Sequence, residues 1–337
     1  MADAVTRHVQ SAGLDLVIRP CVPMRADYQA VVAIHNAIFP DTPAAVEDYE
    51  EHDARCGPPY KTGRLLAAVD GQVVGMALYA QYAWSYHPQR FYVTVQVMPG
   101  WWRRGIGGAL YDALLTDLEP FNPAELCCPV REDQADGLDF VARRGYAETF
   151  RIAESRLDVR TFDPTPYADL EAELAARGIV IKTLRELAPD PDRDRKLYDL
   201  DWELGQDVPG AEIFTRVPFE KWRAETIGAE TLLPDAYFIA THGQQYIGMS
   251  DLWAERASDM LDTGSTGTRR DYRGLGVATA MKVRGICWAQ VNGKSFIKTG
   301  NAADNQAMRS INRRLGFVKQ PDHIDHRLTL RDLAKDG

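Results

Sequence analysis

The sequence has little of what marks several large protein classes. Its five cysteines (Cys21, Cys56, Cys127, Cys128 and Cys287) show no C-x-x-C spacing and leave one over in any pairing. That argues against a disulfide framework, and a reduced cytoplasmic setting is expected. Positive charge is in deficit: the net charge is −9, whereas sequence-independent nucleic-acid binding needs many Lys and Arg contacts to phosphates. No nucleic-acid partner is expected. The N-terminal stretch "MADAVTRHVQSAGLDLVIRP" has no apolar h-region, so no secretory signal is expected. The stretch 71–89 lacks charge but is interrupted by Gln72, Gln81, Ser85, His87 and Pro88. It reads as buried strands, and no membrane association is expected. Low-complexity segments are absent. His323 and His326 lie three apart in a strand-like segment, where they face opposite sides, so no metal is expected.

What remains is 337 residues, 45% hydrophobic and 26% charged, enough for two ordinary globular domains. The chain repeats itself. "VMPGWWRRGIGGAL" (97–110) and "TRRDYRGLGVATAM" (268–281) align with Gly105 on Gly276, Ile106 on Val277 and Gly107 on Ala278, an offset of 171 (276 − 105). The same offset brings Gly145 of "RRGYAETF" onto Gly316 of "RRLGFVKQ". Each half carries the same order of signals. An extended segment and two helical ones precede a hairpin (about Asp70–Gly71, then His242–Gly243), and a further strand runs into the glycine turn and an apolar helix. Central hairpins mixed with helices indicate an α+β fold, a mixed and mostly antiparallel sheet flanked by helices in each half. Pro164 and Pro166 punctuate the join, which sets the expected domains at 1–163 and 164–337.

A strand that enters a glycine turn and leaves as a helix gathers unpaired amides at the positive end of a helix dipole, a place for an anion. The dinucleotide fingerprint fails, because Thr279 and Leu110 stand at its third glycine, and the Walker pattern is absent. The pattern present is Q/R-x-x-G-x-G/A, met by Arg273, Gly276 and Ala278.

That pattern resembles the coenzyme A pyrophosphate loop of the GNAT N-acetyltransferase superfamily, and "NAADNQAMRSINRRLGF" (301–317) resembles its second hallmark. The layout is that of a tandem two-domain type similar to mycothiol synthase. The resemblance is specific in the second half and looser in the first. It implies two GNAT folds and acetyl-CoA as co-substrate, wedged between the fourth and fifth strands. An amine attacks the thioester directly. It further implies coenzyme contacts from Thr268, Arg269, Arg270, Arg273, Gly274, Leu275, Gly276, Val277, Ala278 and Asn305. In the first half the matching positions are Val97, Arg103, Arg104, Gly105, Ile106 and Gly107. Eleven residues before Arg273 stands Asp262, where the family's proton acceptor is found, and the Thr268 amide would polarise the thioester carbonyl. Asn312 replaces the usual tyrosine acid. Trp102, Phe91, Gln134 and Val141 occupy the first-half positions of Arg273, Asp262, Asn305 and Asn312, so the first half is expected to be degenerate and the second catalytic.

The acceptor expected is a small molecule with a primary amine, and monomer and homodimer both remain open. A non-catalytic acyl-CoA sensor and an aminoacyl-tRNA-dependent transferase are the alternatives. Trp202, Trp222 and Trp253 read first as core packing, and Asp201, Glu203 and Asp207 as a solvated helix face.

Overall fold

The structure, a computed structural model, describes residues 6–11, 13–208 and 214–331. In chain order the first elements are strands β1 (Arg7–Ser11) and β2 (Leu14–Pro20), helices α1 (Arg25–Ile38) and α2 (Val46–Arg55), then β3 (Thr62–Val69), β4 (Gln72–Ala80) and β5 (Arg90–Val97). Helix α3 (Ile106–Leu118), β6 (Glu125–Arg131), α4 (Ala135–Arg143) and the long β7 (Ala147–Asp158) follow. The second series is α5 (Leu170–Ala175), β8 (Ile179–Thr183), α6 (Arg193–Gly205), α7 (Phe219–Glu225), β9 (Leu232–His242), β10 (Gln245–Ala254) and β11 (Leu261–Thr268). Helix α8 (Val277–Val291), β12 (Phe296–Ala302), α9 (Gln306–Arg314), β13 (Val318–Lys319) and β14 (His323–Thr329) complete it.

The compact units are Met1–Thr149 with Ile324–Gly337, and Phe150–His323. They do not follow the expected 163/164 division, because strand pairing groups the chain differently. In the first unit the sheet runs β1-β2-β3-β4-β5-β6-β14, so the last strand of the chain completes the first unit. In the second it runs β7-β12-β11-β10-β9-β8, and β7 pairs antiparallel with β12 from Ile152↔Ala302 to Asp158↔Phe296.

Local chemistry explains the shared plan. Asp70 and Gly71 both take positive φ (51° and 80°), the requirement of the tight turn that joins β3 to β4. Helix α3 buries Ile106, Leu110, Ala113, Leu114 and Leu118 against β3, β4 and β5, the i, i+4, i+7, i+8 stripe of an amphipathic helix. Helix α8 does the same in the second unit with Val277, Ala280, Met281 and Ile286. The opposite face of each sheet is covered by the paired helices, α1 with α2 and α6 with α7. Among the described residues no helix is long and apolar enough to cross a membrane.

Candidate functional site

The two glycine turns coincide residue for residue at the offset of 171 read from the sequence. A 3-10 turn spans Pro99–Trp101 in one and Arg270–Tyr272 in the other. Left-handed backbone follows at Arg103 (φ 61°) and Gly274 (75°), then again at Gly105 (78°) and Gly276 (88°), the residues that open α3 and α8. The departure at the first motif position turns out to be conservative in hydrogen bonding. Arg273 Nε donates to the Thr268 carbonyl at 3.1 Å, and Trp102 Nε1 donates to the Val97 carbonyl at 2.6 Å. Both side chains cap the last carbonyl of their strand and so fix the angle between strand and turn.

That angle leaves the amides of the turn without internal acceptors. Arg273 N–H bonds to Arg270 O and Ala280 N–H to Gly276 O, and among the described residues no backbone amide from 274 to 279 has a backbone acceptor. The same holds for 103–108 in the first unit, between the amides of Trp102 and Ala109. Six convergent donors at a helix N-terminus fit a diphosphate. Thr268 Oγ1, buried at the mouth of the turn, has no partner among the described residues either. The arginines expected to contact the coenzyme are held by the acidic face of α6 and the residues after it: Arg269 by Glu203 at 3.1 Å, Arg270 and Arg273 both by Asp207. That face is therefore more than solvated surface. Its three carboxylates divide between the turn and the core, since Asp201 accepts from Trp222 Nε1 at 2.8 Å.

Beside each turn the sheet opens. Parallel strands β11 and β12 pair only at Leu261↔Ile297 and Asp262↔Lys298, and then part. In the first unit β5 and β6 pair from Arg90↔Glu125 to Tyr92↔Cys127 before parting. The units differ on the other edge. Between Ser250↔Thr266 and Leu252↔Thr263, β11 advances three residues while β10 advances two, so β11 carries a bulge at Gly264–Ser265. The pairing of β5 with β4 runs from Gly75↔Val97 to Ala80↔Tyr92 without a shift. Under the bulge lies Asp251, 4% exposed, which accepts from Ser265 N–H and from Trp253 Nε1. A Cβ on Gly264 would come within 2.4 Å of Trp253 Nε1 and 2.8 Å of Asp251 Oδ1, so only glycine admits this carboxyl. Burial pushes the Asp251 carboxyl up to about 7, against the two hydrogen bonds it accepts. Asp251 was not legible in the sequence, where "GMSDLWA" reads as an ordinary inner strand.

Asp262 stands on the last rung before β11 and β12 part, opposite Trp253 and Lys298. Its Oδ2 is 3.7 Å from Lys298 Nζ, which also meets Glu255 Oε1 at 2.6 Å. Burial pushes the Asp262 carboxyl up to about 6 and Lys298 opposes the rise. The side chain keeps 49% of its surface exposed, and that contact with solvent also opposes the rise. Phe91, at the equivalent place, is fully buried in the core of the first unit. Asn305 caps α9 by accepting from Met308 N–H at 3.1 Å, and Asn312 donates to Asn301 Oδ1 at 2.6 Å, with its own Oδ1 buried and unpartnered among the described residues. Val141 is buried, and Gln134 precedes α4 without a side-chain cap. All five cysteines are free, and no group of three metal-ligating side chains occurs among the described residues.

Comparison with known proteins agrees with this geometry. No curated protein matches the sequence. The chain is similar in structure to a GCN5-related N-acetyltransferase from Sphaerobacter thermophilus, with 19% identity over 94% of this chain and 96% of that one, and a TM-score of 0.69. It is also similar to a tandem GNAT protein from the clavulanic acid biosynthesis pathway, with 18% identity over 94% and 98% and a TM-score of 0.73. At these identities the likeness establishes the fold, and it extends over both units. Residues 28–146 match the acetyltransferase (GNAT) family model. The family match thus falls on the half whose turn motif is the looser. Residues 28–146 thus match a GNAT acetyltransferase domain, and the fold of the chain as a whole is that of tandem GNAT proteins.

Proposed function

We propose that the protein is an acetyl-CoA-dependent N-acetyltransferase that acylates the primary amine of a small molecule by direct attack in a ternary complex, with the chemistry in the second unit. One observation supports this above others: in that unit alone, the six free amides of 274–279, the parted strands and a bulged β11 adjoin an ionisable carboxyl at the apex. In this reading the amides of 274–279 hold the diphosphate, with Gly276 giving it close approach. Each N–H to a charged oxygen contributes ~1.5–3 kcal/mol. Thr268 borders the arm of the coenzyme, and Asn305 keeps α9 in place beside it. The first unit's matching turn, from Val97 to Gly107, is a second coenzyme cradle that lacks both bulge and carboxyl.

Acetyl-CoA supplies an activated acyl carbon and a thiolate leaving group. Asp262 supplies the proton acceptor. A lysine-like ammonium near 10.4 loses its proton to an ordinary aspartate near 3.9 only across ~6.5 pKa units, about 9 kcal/mol, and the upward shift of the Asp262 carboxyl lowers that cost. The thiolate leaves unassisted by Asn312, whose amide is engaged with Asn301; a coenzyme thiol resembles cysteine, near 8.5, and tolerates that.

Asp262→Asn should lower turnover at least tenfold, leave acetyl-CoA affinity within threefold and remove the loss of kcat on acidification through about pH 6. Unchanged turnover would take Asp262 out of the mechanism. The engaged Asn312 favours a second reading, a coenzyme-binding sensor without catalysis. Coenzyme A release with a panel of amines decides between them, since tight binding without turnover of any amine supports the sensor. The acidic balance supports a small-molecule acceptor over tRNA, and free cysteines support a cytoplasmic setting.

A further inference from the structure

Helix α8 turns Lys282 inward, and the residue is only 6% exposed. It is the one charged group lining a narrow pocket on the α8 side of the sheet, with Phe238, Ser250, Leu252, Thr263, Ile286 and Phe317 around it. Lys282 Nζ lies 5.4 Å from the centre of the Phe317 ring. Among the described residues no carboxylate comes within ion-pair distance of it. Asp251 acts on it only through the field, since its carboxyl is bonded to Trp253 and Ser265, and Trp253 packs on the opposite face of the sheet. The remaining polar groups of the pocket are also underused. Ser250 and Thr266 hydroxyls bond to each other at 3.0 Å, and Thr263 Oγ1 is buried with no partner among the described residues. Burial pushes the Lys282 ammonium down to about 8.

An ammonium removed from water without an anion is costly, and so is a buried hydroxyl without a partner. The pocket itself has room for little more than a water-sized group, and a carboxylate whose oxygen reaches into it satisfies both at once. The pocket's place in the fold says where such a group comes from. Thr263 is the first residue of β11 beyond Asp262, the last rung paired with β12, so the pocket adjoins the apex of the parted strands. From Thr268 at the glycine turn to Thr263 the bulged β11 spans only four residues of its partner, Gly248 to Leu252, ~13 Å, within the reach of a pantetheine arm. The acyl end of a coenzyme held at the turn therefore arrives beside Lys282.

Resting on the acyl-transfer reading but replacing its acetyl donor, we propose that the natural donor is a dicarboxylic acyl thioester, of the malonyl or succinyl kind, whose free carboxylate pairs with Lys282 and accepts from the Thr263 hydroxyl. The transfer itself is unchanged: the amine–carbonyl C–N bond forms, the C–S bond breaks, the amine proton passes to Asp262 and the thiol is released. The distal carboxylate takes no part in bond making. Acetyl-CoA is the poorer donor, because it leaves the ammonium unpaired.

Calorimetry of the full chain with acetyl-, malonyl- and succinyl-CoA tests this without any substitution. The better of the two dicarboxylic thioesters should bind at least tenfold more tightly than acetyl-CoA. Lys282→Met should shrink that ratio at least tenfold, and Lys282→Gln serves if the methionine variant does not fold. Coenzyme A release should show the same donor ratios. Acetyl-CoA binding as tightly as both others, or a preference that survives both substitutions, overturns the proposal while acyl transfer stands. Absence of heat with all three thioesters overturns the acyl-transfer reading itself.

Discussion

Replacing Gly276 with valine is expected to lower coenzyme affinity at least a hundredfold. The residue sits at φ 88°, where a β-branched side chain is strained by about 1–2 kcal/mol. A Cβ there would also stand 2.9 Å from Leu170 Cδ1, a flexible neighbour that can yield. Contact alone is therefore a small effect. The large one comes from geometry, since relief of the strain rotates the turn and withdraws several of the six amides at once. Losing two hydrogen bonds to a charged oxygen, at ~1.5–3 kcal/mol each, amounts to a factor of roughly 10² to 10⁴. Calorimetry with acetyl-CoA measures it, with thermal unfolding confirming that the variant is folded. Gly105→Val is the matched control in the first unit, where the new Cβ would meet Ser11 Oγ at 2.2 Å. A coenzyme carried by the second unit is indifferent to that change and lost with Gly276. Affinity of Gly276→Val within threefold of the parent would remove this turn from coenzyme binding.

Asp251→Asn should make the protein more resistant to heat at pH 8, and not at pH 4. The folded carboxyl is raised from 3.8 to about 7, so the fold favours its protonated form. Stability from this group is complete below about pH 4 and is lost as pH rises through 7, because the unfolded chain releases the proton more readily. The span of about three pKa units corresponds to ~4 kcal/mol. Asparagine removes the titration. It also places an N–H₂ near Trp253 Nε1 and deprives Lys282 of a nearby negative charge, which offsets about a quarter to a half of the gain. The expected gain of the variant at pH 8 is ~2–3 kcal/mol, or about 4–12 °C for a unit of this size. Equal melting curves for parent and variant across that range would show that Asp251 is already solvated in the native state.

The two predictions draw on different levels of the molecule. Gly276 was legible in the sequence because a glycine turn, an apolar helix and a second copy at a fixed offset are local patterns. Structure then added why Trp102 can stand in for Arg273: each offers an N–H to the same carbonyl, a likeness that residue names conceal. Asp251 and Lys282 were not legible, since an aspartate in an inner strand and a lysine in a helix have nothing unusual beside them in sequence. Their character comes from what lies across the sheet, the Gly264 gap for one and the pocket around Thr263 for the other.

By itself the sequence determined the strands, helices and tight turns of each half, the duplication and the two glycine turns. Those features depend on backbone preferences and hydrophobic spacing within a dozen residues. Only the tertiary structure decided that β14 completes the first unit's sheet and β7 the second's, that β11 bulges while β5 does not, and which carboxyls and amines are held away from water. Strand partnership joins residues up to two hundred positions apart, and burial is a property of what surrounds a group, so neither leaves a mark on the neighbouring letters of the chain.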